Sequence, residues 1–262
     1  MHKLRKPLIA GNWKMHKLIT ETREYVKDLK KRIENIEYVE VAVAPPFTVL
    51  FVAKANMGGS NLKLAAQDVF WEDEGAYTGE ISPKFLWDLG CDYVIIGHSE
   101  RRKYFGETDE DVNKKIKAAL RHNIIPIVCV GETLEEREKG ITFDVLKRQF
   151  SAFNDLSPDD MKKLVIAYEP VWAIGTGKTA TPDTAQEAQS FIRNLIKEKF
   201  NEDVAQKVRI LYGGSIKPDN IADLVAQPDI DGGLVGGASL NVDSFYKIIE
   251  NTEKVYKEKC VA

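Results

Sequence analysis

The chain is poor in cysteine, nearly balanced in charge and without a long apolar run. Its three cysteines, Cys91, Cys129 and Cys260, show neither metal-ligand nor CxxC spacing. They offer no disulfide framework and read as free thiols in a reducing compartment. Lys and Arg number 37 against 40 Asp and Glu, leaving a net charge of −3. That balance gives no basic field for nucleic acid, so an anionic ligand must be held by local features. No stretch approaches the roughly 18 apolar residues of a membrane span. The basic start, Met1 to Pro7, is followed only by Leu8-Ile9-Ala10 before Gly11, too short for the core of a secretory signal. These absences predict a cytoplasmic protein with no membrane or nucleic-acid partner. No metal cluster or cofactor motif stands out, and neither a metal nor a cofactor is expected.

What the sequence does contain is a repeat of short β-branched runs. They are Leu8-Ile9-Ala10, Val41 to Ala44, Leu62 to Ala66, Tyr93 to Ile96, Ile124 to Val130, Leu164 to Tyr168, Val208 to Tyr212 and Gly233-Leu234-Val235. Most are continuously apolar, as strands covered on both faces should be. Amphipathic segments separate them, among them Thr20 to Ile33, Asp109 to Arg121, Thr142 to Phe153, Thr184 to Phe200 and Val242 to Val255. Acids or proline open several, where helix N-termini favour them. Eight such units in about 250 residues predict an α/β fold, a (β/α)8 barrel. A doubly wound sheet with a second domain would want a linker. Gly58 to Asn61 and Asn154 to Asp160 read as loops too short to separate domains. The expectation is one domain over residues 1–262, with the barrel proper at about 7–258.

Tyr168-Glu169-Pro170-Val171-Trp172 ends the sixth run, and the small-residue tip Ala173 to Gly177 follows. That order suits a base fixed on a rigid element beside a loop able to swing over it. Alone, a Glu-Pro pair reads as a surface Glu capping a strand. Other motifs lend it company. Asn12-Trp13-Lys14 ends the first run, Gly97-His98-Ser99-Glu100-Arg101-Arg102 the fourth, Gly213-Gly214-Ser215 the seventh and Gly236-Gly237 the eighth. Chemistry in such barrels is built at the C-terminal rim of the strands, so these motifs converge on one mouth.

Asn12 and Lys14, two apart, point to one side of the chain and could offer an amide and a cation to a ligand. The other reading is an exposed Lys beside a core Trp. His98 precedes Ser99, a plausible helix N-cap. Arg101 and Arg102 read as ion-pair partners, and His2, His16 and His122 as surface. The two glycine segments lack side chains that would keep a phosphate from backbone N–H groups. Gly175 to Ala180 also fits a G-x-G-x-x-A dinucleotide pattern, but six residues separate it from the strand. A Walker A loop would need glycine where Trp172 stands.

Taken in order, these segments closely resemble the triosephosphate isomerase family, from Leu8 to about Ser239, and none departs from its pattern. The resemblance implies a cofactor-independent aldose–ketose isomerase of the TIM-barrel class. Glu169 would be its base and His98 a neutral electrophile facing a helix N-terminus. Lys14 would meet phosphate and oxyanion with the help of Asn12, and Glu100 would have an auxiliary part. Gly175, Ser215, Gly236 and Gly237 would hold the phosphate of a triose phosphate. It also implies a homodimer in which the loop Phe70 to Glu80, with Thr78 near its tip, enters the neighbouring site. Rival readings are another phosphate-binding barrel enzyme, an aldolase or synthase with a Schiff-base Lys in a central strand, and a non-catalytic sugar-phosphate sensor.

Overall fold

The computed structural model describes residues 5–174 and 180–261. Eight parallel strands close into a barrel in sequence order: β1 (Leu8–Asn12), β2 (Glu40–Ala44), β3 (Lys63–Ala66), β4 (Tyr93–Ile96), β5 (Ile125–Val130), β6 (Val165–Tyr168), β7 (Arg209–Tyr212) and β8 (Gly232–Val235). Each lies within about two residues of an apolar run in the sequence. β1 pairs with β2 on one side and with β8 on the other, Leu8 opposite Gly232. Closure requires Gly232 there: its φ is +127°, and a Cβ on it would lie 2.0 Å from the Leu8 carbonyl oxygen.

Strand residues alternate between two apolar layers. Leu8, Ala10, Ala42, Ala44, Ala65, Ile95, Ile127, Cys129, Val165, Ala167, Leu211 and Leu234 fill the barrel. Their neighbours, such as Ile9, Val43, Val94, Ile96, Val128, Ile166 and Ile210, pack outward against the helices. Both faces of each strand are thus covered, which is why the runs read as continuously apolar. At the N-terminal end of the barrel, Arg209 donates to Glu40 and to the Tyr93 hydroxyl, which itself donates to Glu40.

The helices follow the amphipathic segments. Ile19–Arg32 buries Thr22, Tyr25, Val26 and Leu29. Asp109–Arg121 starts in a capping box between Thr108 and Asp111. Thr142–Phe150 ends in a short 3-10 turn, Ser151–Phe153. Pro182–Lys199 has Thr181 as its cap and proline in its first turn. Two expectations are corrected. Asn154 to Asp160 is not wholly a loop, because Ser157 accepts from the Asp160 N–H and caps the one-turn helix Pro158–Met161. Ser99 is the first residue of the helix Ser99–Phe105, and the cap is His98, whose ring accepts from the Glu100 N–H.

Candidate active site

Parity along the strands places the first of the expected residues. Leu8 and Ala10 face the barrel interior, so Asn12 emerges from the same row at the C-terminal rim. Val165 and Ala167 do the same for Glu169. His98 does not follow from alternation. Tyr93 and Ile95 point inward, and Gly97, at φ +72°, then turns the chain so that His98 also reaches the mouth.

A cavity of about 280 Å³ opens there. Asn12, Lys14, His98, Glu169, Ser215, Gly236 and Gly237 line it, with Gly213, Gly214, Lys217 and Leu234. Glu100 borders an adjoining cavity with Asn12, Lys14 and His98. The five proposed catalytic side chains, from the end of β1 and the segments that follow β1, β4 and β6, therefore meet at one rim. Gly175 lies outside the described residues, as do Lys178 and Thr179.

Glu169 is 2 % exposed. Its Oε1 is 2.9 Å from His98 Nε2, and its Oε2 accepts the Ser99 N–H at 2.9 Å. The other ring nitrogen, Nδ1, accepts the Glu100 N–H at 3.2 Å. An acceptor cannot carry a proton, so the proton sits on Nε2 and is donated to Glu169. Burial opposes the Glu169 charge, but His98, the Ser99 N–H and Lys14 outweigh it and hold the carboxyl below its ordinary pKa. For His98 burial again opposes the charge. The contact with Glu169, helped by Glu100, outweighs burial and raises the imidazole pKa against a smaller opposing pull from Lys14. The helix terminus alone favours the neutral ring; in this arrangement the carboxylate at Nε2 works the other way.

Lys14 sits just past β1 with φ +52°, a region uncommon for a side-chain-bearing residue. Three contacts hold it there. Its N–H donates to Asn12 Oδ1 at 3.0 Å, its carbonyl accepts from Gln67 at 2.8 Å, and its ammonium is 2.6 Å from Glu100 Oε1. A Cβ on Gly236 would lie 4.0 Å from the Lys14 ammonium, so that cation borders the last glycine turn. Glycine is required at two neighbouring places. A Cβ on Gly213 would come within 2.9 Å of Glu169 Cγ, and one on Gly214 within 2.2 Å of the Tyr212 hydroxyl.

Arg101 pairs with Glu107 and Asp68, and Arg102 with Asp109, as ion-pair partners should. His16 is exposed; His122 is half-buried, with Nε2 2.9 Å from Asp73, because the loop Phe70 to Glu80 folds back onto it. The only strand lysine among the described residues, Lys63, opens β3 at the opposite end of the barrel and pairs with Asp92. It is not placed for a Schiff base at the mouth.

Several supporting residues gave no sign in the sequence. Gln67 holds the Lys14 backbone. Glu107 accepts the Gly97 N–H at 2.8 Å and is itself held by Arg101 and Lys115. Fully buried Glu132 accepts from the Tyr168 hydroxyl, the Trp172 indole and Arg137. Across the loop, the Ala180 N–H donates to the Tyr212 hydroxyl at 3.3 Å. Cys129 lies buried against Glu169, and burial with that negative neighbour pushes its thiol far above the usual range.

A family model described as Triosephosphate isomerase matches residues 7–252. The chain is 57% identical over 248 residues to a triosephosphate isomerase of Endomicrobium trichonymphae, covering 94% of this chain and 99% of that protein. It is 55% identical over 251 residues to that of Geotalea uraniireducens (strain Rf4), covering 95% and 100%. It is 55% identical over 250 residues to that of Carboxydothermus hydrogenoformans, again covering 95% and 100%.

Proposed function

The chain belongs to the triosephosphate isomerase family, and from that premise we propose that its site interconverts dihydroxyacetone phosphate and D-glyceraldehyde 3-phosphate. Glu169 takes a proton from the carbon beside the carbonyl, giving an enediolate, and returns it to the adjacent carbon. His98 donates its Nε2–H to the oxygens that become negative, and Lys14, with Asn12, balances that charge. Glu100, paired with Lys14, has an auxiliary part. The phosphate lies against the backbone of Ser215, Gly236 and Gly237 beside the Lys14 ammonium, with Gly175 joining from the loop. The proton removed is returned, so the balance calls for no electron carrier or cofactor.

The observation that carries this reading is the His98 ring: Nδ1 accepts the Glu100 N–H while Nε2 faces the carboxylate at 2.9 Å. A donor is thereby aimed at the same point as the base. When the substrate stands between them, Glu169 addresses a carbon rather than the ring, and the helix N-terminus again favours neutral imidazole. General acid–base catalysis supplies roughly 10² to 10⁴-fold. Oxyanion stabilisation and binding of the remote phosphate supply much of the rest.

The working assembly is a homodimer of a cytoplasmic enzyme of glycolysis and gluconeogenesis. Supporting the dimer is a broad set of exposed apolar side chains: Met15 is 93 % exposed, Phe51 71 % and Phe105 70 %, and Phe85 and Trp87 are also exposed. Thr78 is exposed on a loop braced by Phe70, which stacks on Trp71 and meets Tyr77 at a tilt, and by Arg121 and His122 on Asp73. Among the described residues no helix is long and apolar enough to cross a membrane.

A coupled assay with D-glyceraldehyde 3-phosphate tests the function. Turnover should occur without added metal or nicotinamide for the isomerising step, with solvent deuterium entering the carbon that Glu169 serves. Absence of isomerisation by the folded protein would overturn the reading.

A further inference from the structure

We infer that Gln149 is a positioning residue for the base, its carboxamide standing in for a strand that is missing beside Gly131. The inference rests on Glu169 being the base.

β4 and β5 pair only from Tyr93–Ile125 to Ile96–Val128, because the turn at Gly97 carries the chain away. β5 runs on to Val130, and Gly131 follows it. On the β6 side the ladder continues: the Glu169 N–H donates to the Val130 carbonyl at 2.8 Å and the Val171 N–H to the Glu132 carbonyl at 3.0 Å. Successive residues of an extended chain turn their peptide groups to opposite sides. Gly131, between these two, therefore presents its N–H and C=O to the side that β4 has left.

Gln149 meets both groups. Its Oε1 accepts the Gly131 N–H at 2.7 Å and its Nε2 donates to the Gly131 carbonyl at 3.1 Å. A carboxamide carries the donor and acceptor of one peptide unit, so the side chain completes the ladder as a residue of β4 would. Gln149 is 6 % exposed and shares the inward face of the helix Thr142–Phe150 with Val145, Leu146 and Phe150.

Gly131 passes this restraint to the base. A Cβ built on it would lie 1.8 Å from the Glu169 carbonyl oxygen and 2.6 Å from its carbonyl carbon. The backbone of Glu169 rests on the bare Cα of Gly131, and neither can shift alone. Behind them a cavity of about 350 Å³, bordered by Gly131, Gln149, Ser99 and Glu169 itself, leaves room for such a shift. The amide closes off that freedom without touching the carboxylate.

Two variants test this. Gln149→Met keeps length and removes both hydrogen bonds. In Gln149→Glu a protonated carboxyl can accept the Gly131 N–H and donate to its carbonyl, whereas the ionised form loses the donor. Burial raises the pKa of such a carboxyl, Arg102 and Arg148 on the same cavity lower it and Glu136 and Asp109 raise it, so its titration is followed over the range of about pH 5 to 9. kcat and KM are measured across that range and divided by wild-type values at each pH, with circular dichroism and thermal melting as folding controls. Misplacement of a base by about 1 Å costs on the order of 10²-fold. Gln149→Met is therefore expected to lose about 10- to 100-fold in kcat at every pH, with KM within about twofold. Gln149→Glu should match it at high pH and climb toward wild type as pH falls. A merely structural role would lower the melting temperature of both and leave that climb absent.

A folded Gln149→Met with kcat within about twofold of wild type, or a flat pH ratio for Gln149→Glu, overturns the inference. Should Gln149→Met fail to fold, the Gln149→Glu series decides by itself. Wild-type protein without isomerase activity would instead sink the assignment of the base; active wild type with indifferent variants sinks only the role of Gln149.

Discussion

His98 and Glu169 are bonded to each other, Nε2 to Oε1 at 2.9 Å, so the proposed electrophile and the proposed base share one proton's position. A substrate has to come between them, and its arrival changes what each group faces. The contact also couples their titrations, raising His98 and lowering Glu169.

Glu169→Gln should undo that coupling. With the carboxylate gone, burial, the Glu100 N–H at Nδ1 and Lys14 disfavour the imidazolium, against the weaker pull of the Glu100 carboxylate. Nitrogen-15 NMR of His98 should show titration at lower pH in Glu169→Gln than in wild type. The stability difference between the two proteins should vary with pH as well. The raised His98 contributes fully below its unfolded value of about 6.5 and loses that contribution as pH rises through its folded pKa. The lowered Glu169 contributes above its unfolded value of about 4.3 and loses it as pH falls through its folded pKa. Urea unfolding should give the largest difference between those two values. A His98 titration unchanged by the substitution would contradict the pairing.

Glu169→Asp keeps the charge and withdraws it by about one bond length. A loss on the order of 10²-fold is expected, mainly in kcat. Binding of an inhibitor serves as the folding control, and undiminished turnover would remove Glu169 as the base.

Thr78→Arg tests the assembly. A charge forced into a desolvated contact should split the dimer and leave monomers with little activity. Sedimentation showing a monomeric wild type, or a fully active Thr78→Arg dimer, would sink the proposal.

Deleting Ile174 to Gly177 tests the loop as a guard. The proposed hinges are Val171-Trp172 and Lys178-Thr179-Ala180. On the described side the Trp172 indole is held by Glu132, and beyond the loop Ala180 is tied to Tyr212. An enediolate phosphate open to water can expel its phosphate. The barrel should still fold, isomerisation should fall steeply, and methylglyoxal with free phosphate should form a growing share of product by NMR. A fall in turnover with no rise in elimination would show that the loop guards nothing.

The strands were legible because each is buried on both faces, so composition alone outlines them. Asn12 and Glu169 followed from where apolar runs stop. His98 was legible as a motif, but its orientation depends on Gly97 at φ +72°, which no periodicity encodes. The supports were not legible at all. Gln67 is half-buried and Glu107, Glu132 and Gln149 are buried, and each bonds to groups distant along the chain: Gln67 to the Lys14 and Ala44 carbonyls, Glu107 to the Gly97 N–H, Glu132 to Tyr168 and Trp172, and Gln149 to Gly131. Their hydrogen bonds exist only after folding brings those segments together. For the same reason Ser99 read as a cap, whereas its N–H serves Glu169 and the neighbouring imidazole does the capping.

The pairing of Leu8 with Gly232 has a consequence for the making of the protein. β1 leaves the ribosome before every other strand of the barrel, and β8 after them all. Until β8 emerges, the far edge of β1 is unpaired and open to association with other chains, as sheet edges are. Gly236 and Gly237, which border Lys14, arrive with the same final strand. The nascent chain therefore acquires its last seam and its complete phosphate cradle in one event, and translation that halts before β8 yields an open sheet with an incomplete site.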